Sequence, residues 1–200
     1  TCMGRRAWPS LTRASARCKT ALSVWGSEAW PGAPLARRRK RAAPFSAVEQ
    51  AKKTFEGRCV GILFAEGSDK AMIESIKAAV EKGGGTVKLV APKVGMTKVK
   101  GGMLMAEAQL AGAPSVVFDA VVAILMPDKA KEIAQDVGAV QWFADAWFHC
   151  KTIGACGGTR EHILPKANIV PDEGVPKPED FISVGAVRHW DREERVRDLA

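Results

Sequence analysis

The chain has 200 residues, 46% of them apolar and 26% charged, with a formal net charge of +8 and no tyrosine. That length allows one domain of ordinary size plus extra chain. No apolar run approaches the roughly 20 residues needed to span a bilayer, no secretory signal peptide is visible, and the five cysteines (Cys2, Cys18, Cys59, Cys150 and Cys156) follow neither a disulfide-framework nor a zinc-ribbon spacing.

Charge is split along the chain. Residues 1–45 carry +9 and residues 46–200 carry −1. The excess positive charge therefore belongs to an arm, and nucleic-acid binding by the folded part finds no support in it. The arm is rich in Arg, Ala, Pro, Gly and Trp without periodicity, and it is expected to be disordered up to about Ala43. It suits a transit peptide, a nucleic-acid or nuclear-import tail built on Arg37–Arg41, or a non-native start. The last is favoured, because the chain begins at Thr1 and not at a methionine. Residues 46–57 read as a linker and 58–200 as the domain.

Cys59–Phe64 (CVGILF) is a continuous apolar run that suits a strand buried on both faces. Ser68 is the expected cap of the next helix, with Asp69 in its first turn. Met72, Ile73, Ile76, Ala79 and Val80 give that helix one apolar face, and Gly83–Gly85 stop it after Lys82. Thr86–Ala91 reads as a second strand nearer the sheet edge. A unit of this length is a right-handed crossover joining parallel strands. Gly101–Gly102 punctuate a small hairpin or excursion.

A buried strand is expected after Asp119, ending at Leu125, followed by a short helix over 127–136. Val140, Phe143, Ala144, Trp147 and Phe148 mark the next helix face, and Trp142, Trp147 and Trp190 read as packing or interface residues. Thr152–Cys156 is a short strand, followed by Gly157–Gly158 and a helix through Ile163. Asn168–Val170 is the expected last strand. A closing helix over 178–190 points Phe181, Val184 and Val187 inward. Alternating strands and helices imply an α/β fold with an open, mainly parallel sheet covered on both faces.

Several spacings invite functional readings. His149, Cys150, Cys156 and His162 match no structural zinc pattern, and the adjacent His149 and Cys150 point apart on a helix. His149 and Lys151 read instead as a basic helix end. After the first strand the chain reads Ala65-Glu66-Gly67-Ser68, not the glycine fingerprint of a dinucleotide site. No metal-ligating or cofactor-binding residue is assigned. Reduced thiols fit a cytoplasmic location.

The segments EGRCVGILFAEGSD, VKLVAPKVG, LAGAPSVVFDAV and the ending RHWDREERVRDLA carry a resemblance. From about Glu56 onward the chain resembles the C-terminal domain of large-subunit haem catalases. Ala21–Val24 resembles a remnant of that family's preceding linker, whereas Trp25–Pro44 does not resemble it. The resemblance implies a flavodoxin-like, doubly wound fold, similar to class I glutamine amidotransferases and PfpI-type proteins. It also implies that hydrogen peroxide dismutation occurs in a separate haem-holding core, whose proximal iron ligand is a tyrosine. This chain has no tyrosine and nothing like the distal histidine site. The implied partners are that core and the sister subunits of a homotetramer, and the implied role is folding, assembly or stability.

PfpI-type relatives place a nucleophilic cysteine where Cys156 stands. A helix N-terminus there lowers a thiol pKa, and backbone N–H groups can form an oxyanion hole. A base is also needed. Some twenty residues on, the expected histidine is replaced by Gly174-Val175-Pro176, His162 lies only six residues on, and the acidic position offers only Asp69. The reading is therefore a non-catalytic assembly domain of a large-subunit catalase, without catalytic residues or a cofactor of its own, the haem lying in the absent core. The alternative is a stand-alone PfpI-like cysteine hydrolase or redox-sensing protein using Cys156. A weaker third is a basic-tailed binding protein acting through Arg37–Arg41.

Overall fold

A computed structural model of the chain describes residues 51–198. The basic arm, with Arg37–Arg41, lies outside the described residues.

The first strand, β1 (Cys59–Phe64), is buried on both faces as its composition predicts. Helix α1 (Lys70–Lys82) follows and turns Ile73, Ile76 and Val80 onto the sheet. Each such side chain contributes about 1.5–3 kcal/mol when fully buried. The cap is Asp69, one residue later than expected; its carboxylate accepts from the Ala71 and Met72 N–H groups. Ser68 is buried instead. Its hydroxyl accepts from the Ala65 N–H at 2.9 Å and donates to the Ile124 carbonyl at 2.5 Å, tying two strand ends together.

Strand β2 (Thr86–Ala91) leads to a hairpin of β3 (Gly95–Val99) and β4 (Gly102–Ala106), turned by Gly101 at φ +99°. A two-residue strand, β5 (Ala108–Gln109), and two short 3-10 turns precede β6 (Ala120–Ile124). Helices α2 (Pro127–Ile133) and α3 (Val137–Phe148), strand β7 (Ile153–Ala155) and helix α4 (Gly157–His162) follow. Among the described residues, five strands form one parallel sheet in the order β5-β2-β1-β6-β7. β2 is thus near the edge, as expected. The hairpin is a separate two-stranded sheet.

The sheet has a core on each face. Val60, Ile62, Phe64 and Val122 meet α1 on one side, while Leu63, Val121, Ala123 and Ile153 meet α2 and α3 on the other. Trp142 and Trp147 are buried as packing residues, and the Trp142 indole donates to the Ala113 carbonyl at 2.8 Å. Phe148, assigned to the inner face of α3, is exposed; Ala139 and Ala146 take inner positions instead. Phe55, within the stretch read as linker, is buried beside Phe181.

Two expectations fail after α4. Residues 168–170 form no strand, because Asn168 adopts φ +54° in a turn whose Ile169 N–H returns to the Leu164 carbonyl. The outer edge of β7 is bonded instead by an irregular segment: Ile153 and Ala155 donate to the Gly174 and Pro176 carbonyls. The closing helix also shrinks to α5 (Phe181–Val184). Gly185 packs against the Phe181 ring, and the chain then turns so that the His189 N–H reaches the Cys150 carbonyl at 2.8 Å. Phe181 is buried as expected, while Val184 and Val187 are half-buried. A 3-10 turn (Trp190–Arg192) and α6 (Glu193–Asp198) end the described chain.

Candidate functional site

Cys156 is placed where β7 meets α4, as the N-cap residue of that helix. Gly158 makes this junction possible: a Cβ there would stand 2.7 Å from the Pro127 Cα, so only glycine lets α4 lie this close to α2. The half-buried thiol faces the end of β6. Its Sγ lies 3.0 Å from the Leu125 carbonyl, 3.4 Å from the Leu125 N–H and 3.2 Å from the Thr159 hydroxyl. The S–H donates to that carbonyl, so its proton is held by backbone.

The partners of a nucleophile are elsewhere. None of the three histidines is hydrogen-bonded to Sγ. His162 is at the far end of α4, His149 is exposed at the C-cap of α3, and His189 Nε2 lies 3.0 Å from the Thr152 hydroxyl. Asp69 spends its carboxylate on the cap of α1. The Cys156 thiol thus has no adjacent base to take its proton. Cys156 in the folded chain is therefore expected to react with iodoacetamide no faster than a free thiol at neutral pH. Mass-spectrometric kinetics on the Cys156 peptide would check this; a markedly faster rate would restore the nucleophile.

Below the opposite end of β7 lies a buried charge cluster that sequence reasoning missed. Arg192, 2% exposed, makes a two-pronged pair with Asp172, Nε to Oδ2 at 2.8 Å and Nη2 to Oδ1 at 2.6 Å. Its Nη1 donates to the Lys151 carbonyl at 2.6 Å, and the guanidinium lies 3.9 Å from the centroid of Trp147. Gly174 supplies room, since a side chain there would collide with Arg192. Burial alone would raise the Asp172 carboxyl; hydrogen bonds from Arg192, its charge and the Gly174 N–H outweigh that and hold it below its ordinary value. Burial, then the Arg192 charge, lower the His189 pKa.

Lys151 is also buried, contrary to its reading as a helix-end cation. Its ammonium donates to the Ser115 and Val116 carbonyls at 2.8 and 2.9 Å. Burial first, and the Arg188 charge second, lower its pKa to about 8. A depressed lysine near a serine suggests a Ser–Lys nucleophile. Ser115 and Lys151 are sealed from solvent at 0% and 1% exposure, so no substrate reaches them in this state.

A cavity of about 350 Å³ opens at the carboxyl ends of β1 and β2, where doubly wound sheets hold ligands. Lys93 and Lys129 face Glu66, Glu132 and Asp136 there, a ring that disfavours phosphate. Cys156 does not line it. Among the described residues, no group of three or more His, Cys, Asp or Glu side chains stands together to hold a metal ion. No helix among them is long and apolar enough to cross a membrane.

Comparison with known proteins places this fold in context. A family model described as the C-terminal domain found in long catalases matches residues 56–192. The chain is 36% identical over 162 residues to Catalase C of Rhizobium meliloti (strain 1021), covering 76% of this chain and 23% of that protein. It is 30% identical over 144 residues to Catalase HPII of Mycobacterium avium, covering 71% and 20%. Catalase-B of Dictyostelium discoideum is 29% identical over 152 residues, covering 71% and 22%. The chain thus spans less than a quarter of the length of these relatives.

Proposed function

The chain belongs to the family of C-terminal domains found in long catalases, and from that premise we propose that it is a non-catalytic structural and assembly domain of a haem-dependent, peroxide-removing enzyme. The carrying observation is the family match across the folded domain. Its partners are the catalase core and sister subunits, which the family resemblance gives as a homotetramer. The −1 charge of residues 46–200 argues against nucleic acid as a partner of the folded part. A reducing, cytoplasmic setting suits Cys59, Cys150 and Cys156, all free thiols.

The residues of this chain do not fit a haem. The axial oxygen ligand of the family is a tyrosine, and none exists here. His189 is tied to Thr152, and the cavity beside β1 is ringed by charge. The peroxide chemistry is assigned to the core. The hydrolase alternative has no base beside Cys156 to favour it.

The test is the size of the native polypeptide. An antibody raised to residues 58–200 is expected to detect a band several-fold above the 21.4 kDa of this chain. A band near 21 kDa would overturn the assembly reading.

A further inference from the structure

The hairpin of β3 and β4 stands outside the parallel sheet, and its two faces differ in chemistry. Val99 and Ala106 point inward and are buried, with Thr97 and Leu104 half-buried beside them. The outward face carries Met96, Met103 and Met105, exposed to 58%, 53% and 60%. Met96 stands directly opposite Met105 in the register, and Met103 opposite Lys98. A strand's period of two explains the segregation.

From this arrangement we infer that the outer face of the hairpin is a peroxide-oxidised modification site, whose three thioethers are converted to sulfoxides, Met96 and Met105 as a coupled pair. In each step the thioether sulfur attacks one oxygen of hydrogen peroxide. An S–O bond forms, the O–O bond breaks, and water leaves. Sulfur is oxidised by two electrons and the peroxide is reduced by two. The product is polar where the thioether was apolar. The cross-strand Met96–Met105 pair supports the ribbon as such pairs do in antiparallel sheets. The first sulfoxide at either position weakens that pair, frees the strands locally and exposes the second sulfur further. The inference does not rest on the assembly reading, since it needs only the hairpin and peroxide.

Met72, half-buried on α1, is the internal reference. The intact chain would be exposed briefly to hydrogen peroxide and digested, and the sulfoxides mapped by mass spectrometry. Met96, Met103 and Met105 are expected to oxidise roughly fivefold or more faster than Met72. The fragment oxidised at both Met96 and Met105 is expected in excess of the product of the two single frequencies. Amide exchange across 95–106 is expected to quicken after oxidation while that of 59–64 stays unchanged. The Met96→Leu/Met105→Leu variant, still oxidisable at Met103, is expected to keep slow hairpin exchange. Equal rates at Met72, statistically independent oxidation of Met96 and Met105, or unchanged hairpin exchange after oxidation would each overturn the inference.

Discussion

Replacing Asp172 by alanine is expected to destabilise the domain by about 3–5 kcal/mol, because it strands a guanidinium that the fold has sealed from water. Arg192 lies over Trp147 and is held by two carboxylate bonds and the Lys151 carbonyl. The converse change should cost less. Arg192→Met leaves Asp172, whose side chain is 28% exposed and can turn to solvent. About 1–3 kcal/mol is expected for it. Urea unfolding of both variants tests the asymmetry. Equal costs, or a loss below about 1 kcal/mol for Asp172→Ala, would mean the pair does not hold the C-terminal segment. The pH dependence has a definite sign. The carboxyl is held low in the folded state, so the unfolded chain binds more protons in acid. The stabilisation is present above the ordinary carboxylate pKa and is lost as pH falls through the folded value. His189, also lowered, works in the same direction from 6.5 downward.

Lys151 gives the second large effect, at the alkaline end. Its pKa falls from 10.5 to about 8 on folding, mainly through burial. That corresponds to about 3 kcal/mol of linkage. Between these values the unfolded chain binds the extra proton, so this contribution to stability rises with pH. It is complete above 10.5 and lost as pH falls through about 8. The Cys150 thiol, raised by burial, opposes this at high pH, so the clean readout is a difference. Wild type is expected to gain about 2–3 kcal/mol over Lys151→Met between pH 7.5 and 10.5 in urea unfolding. A pH-independent difference would mean the ammonium is solvated in the folded chain.

The parts of the fold that sequence could reach are those with a period. CVGILF announces a strand with two covered faces, and Ile73, Ile76 and Val80 recur at helical spacing, so β1 and α1 are found at their predicted places. Gly101–Gly102 signal a hairpin or an excursion, and the structure has the hairpin. The C-terminal third was not legible in the same way, because single long-range contacts organise it. Arg192 sits in a run of acidic and basic residues that reads as solvated, and arginine is seldom buried. Nothing local signals that Asp172, twenty residues earlier, will meet it. The Thr152 hydroxyl, bonded to the Val184 and Val187 carbonyls, holds the chain where a helix was expected to continue. Asn168 did carry a usable warning, since asparagine is one of the few residues that enters the left-handed region readily. At the candidate site, the sequence located Cys156 at a strand–helix junction but could not reveal that its S–H donates to the Leu125 carbonyl.

The borders of the sheet carry a further consequence. On one side β5 is two residues long, and on the other the segment ending in Pro176 occupies the hydrogen-bonding edge of β7. A long bare strand would be a template for pairing with any neighbouring chain. Among the described residues neither flank offers a long one, so the domain can be concentrated without its sheet seeding edge-to-edge growth.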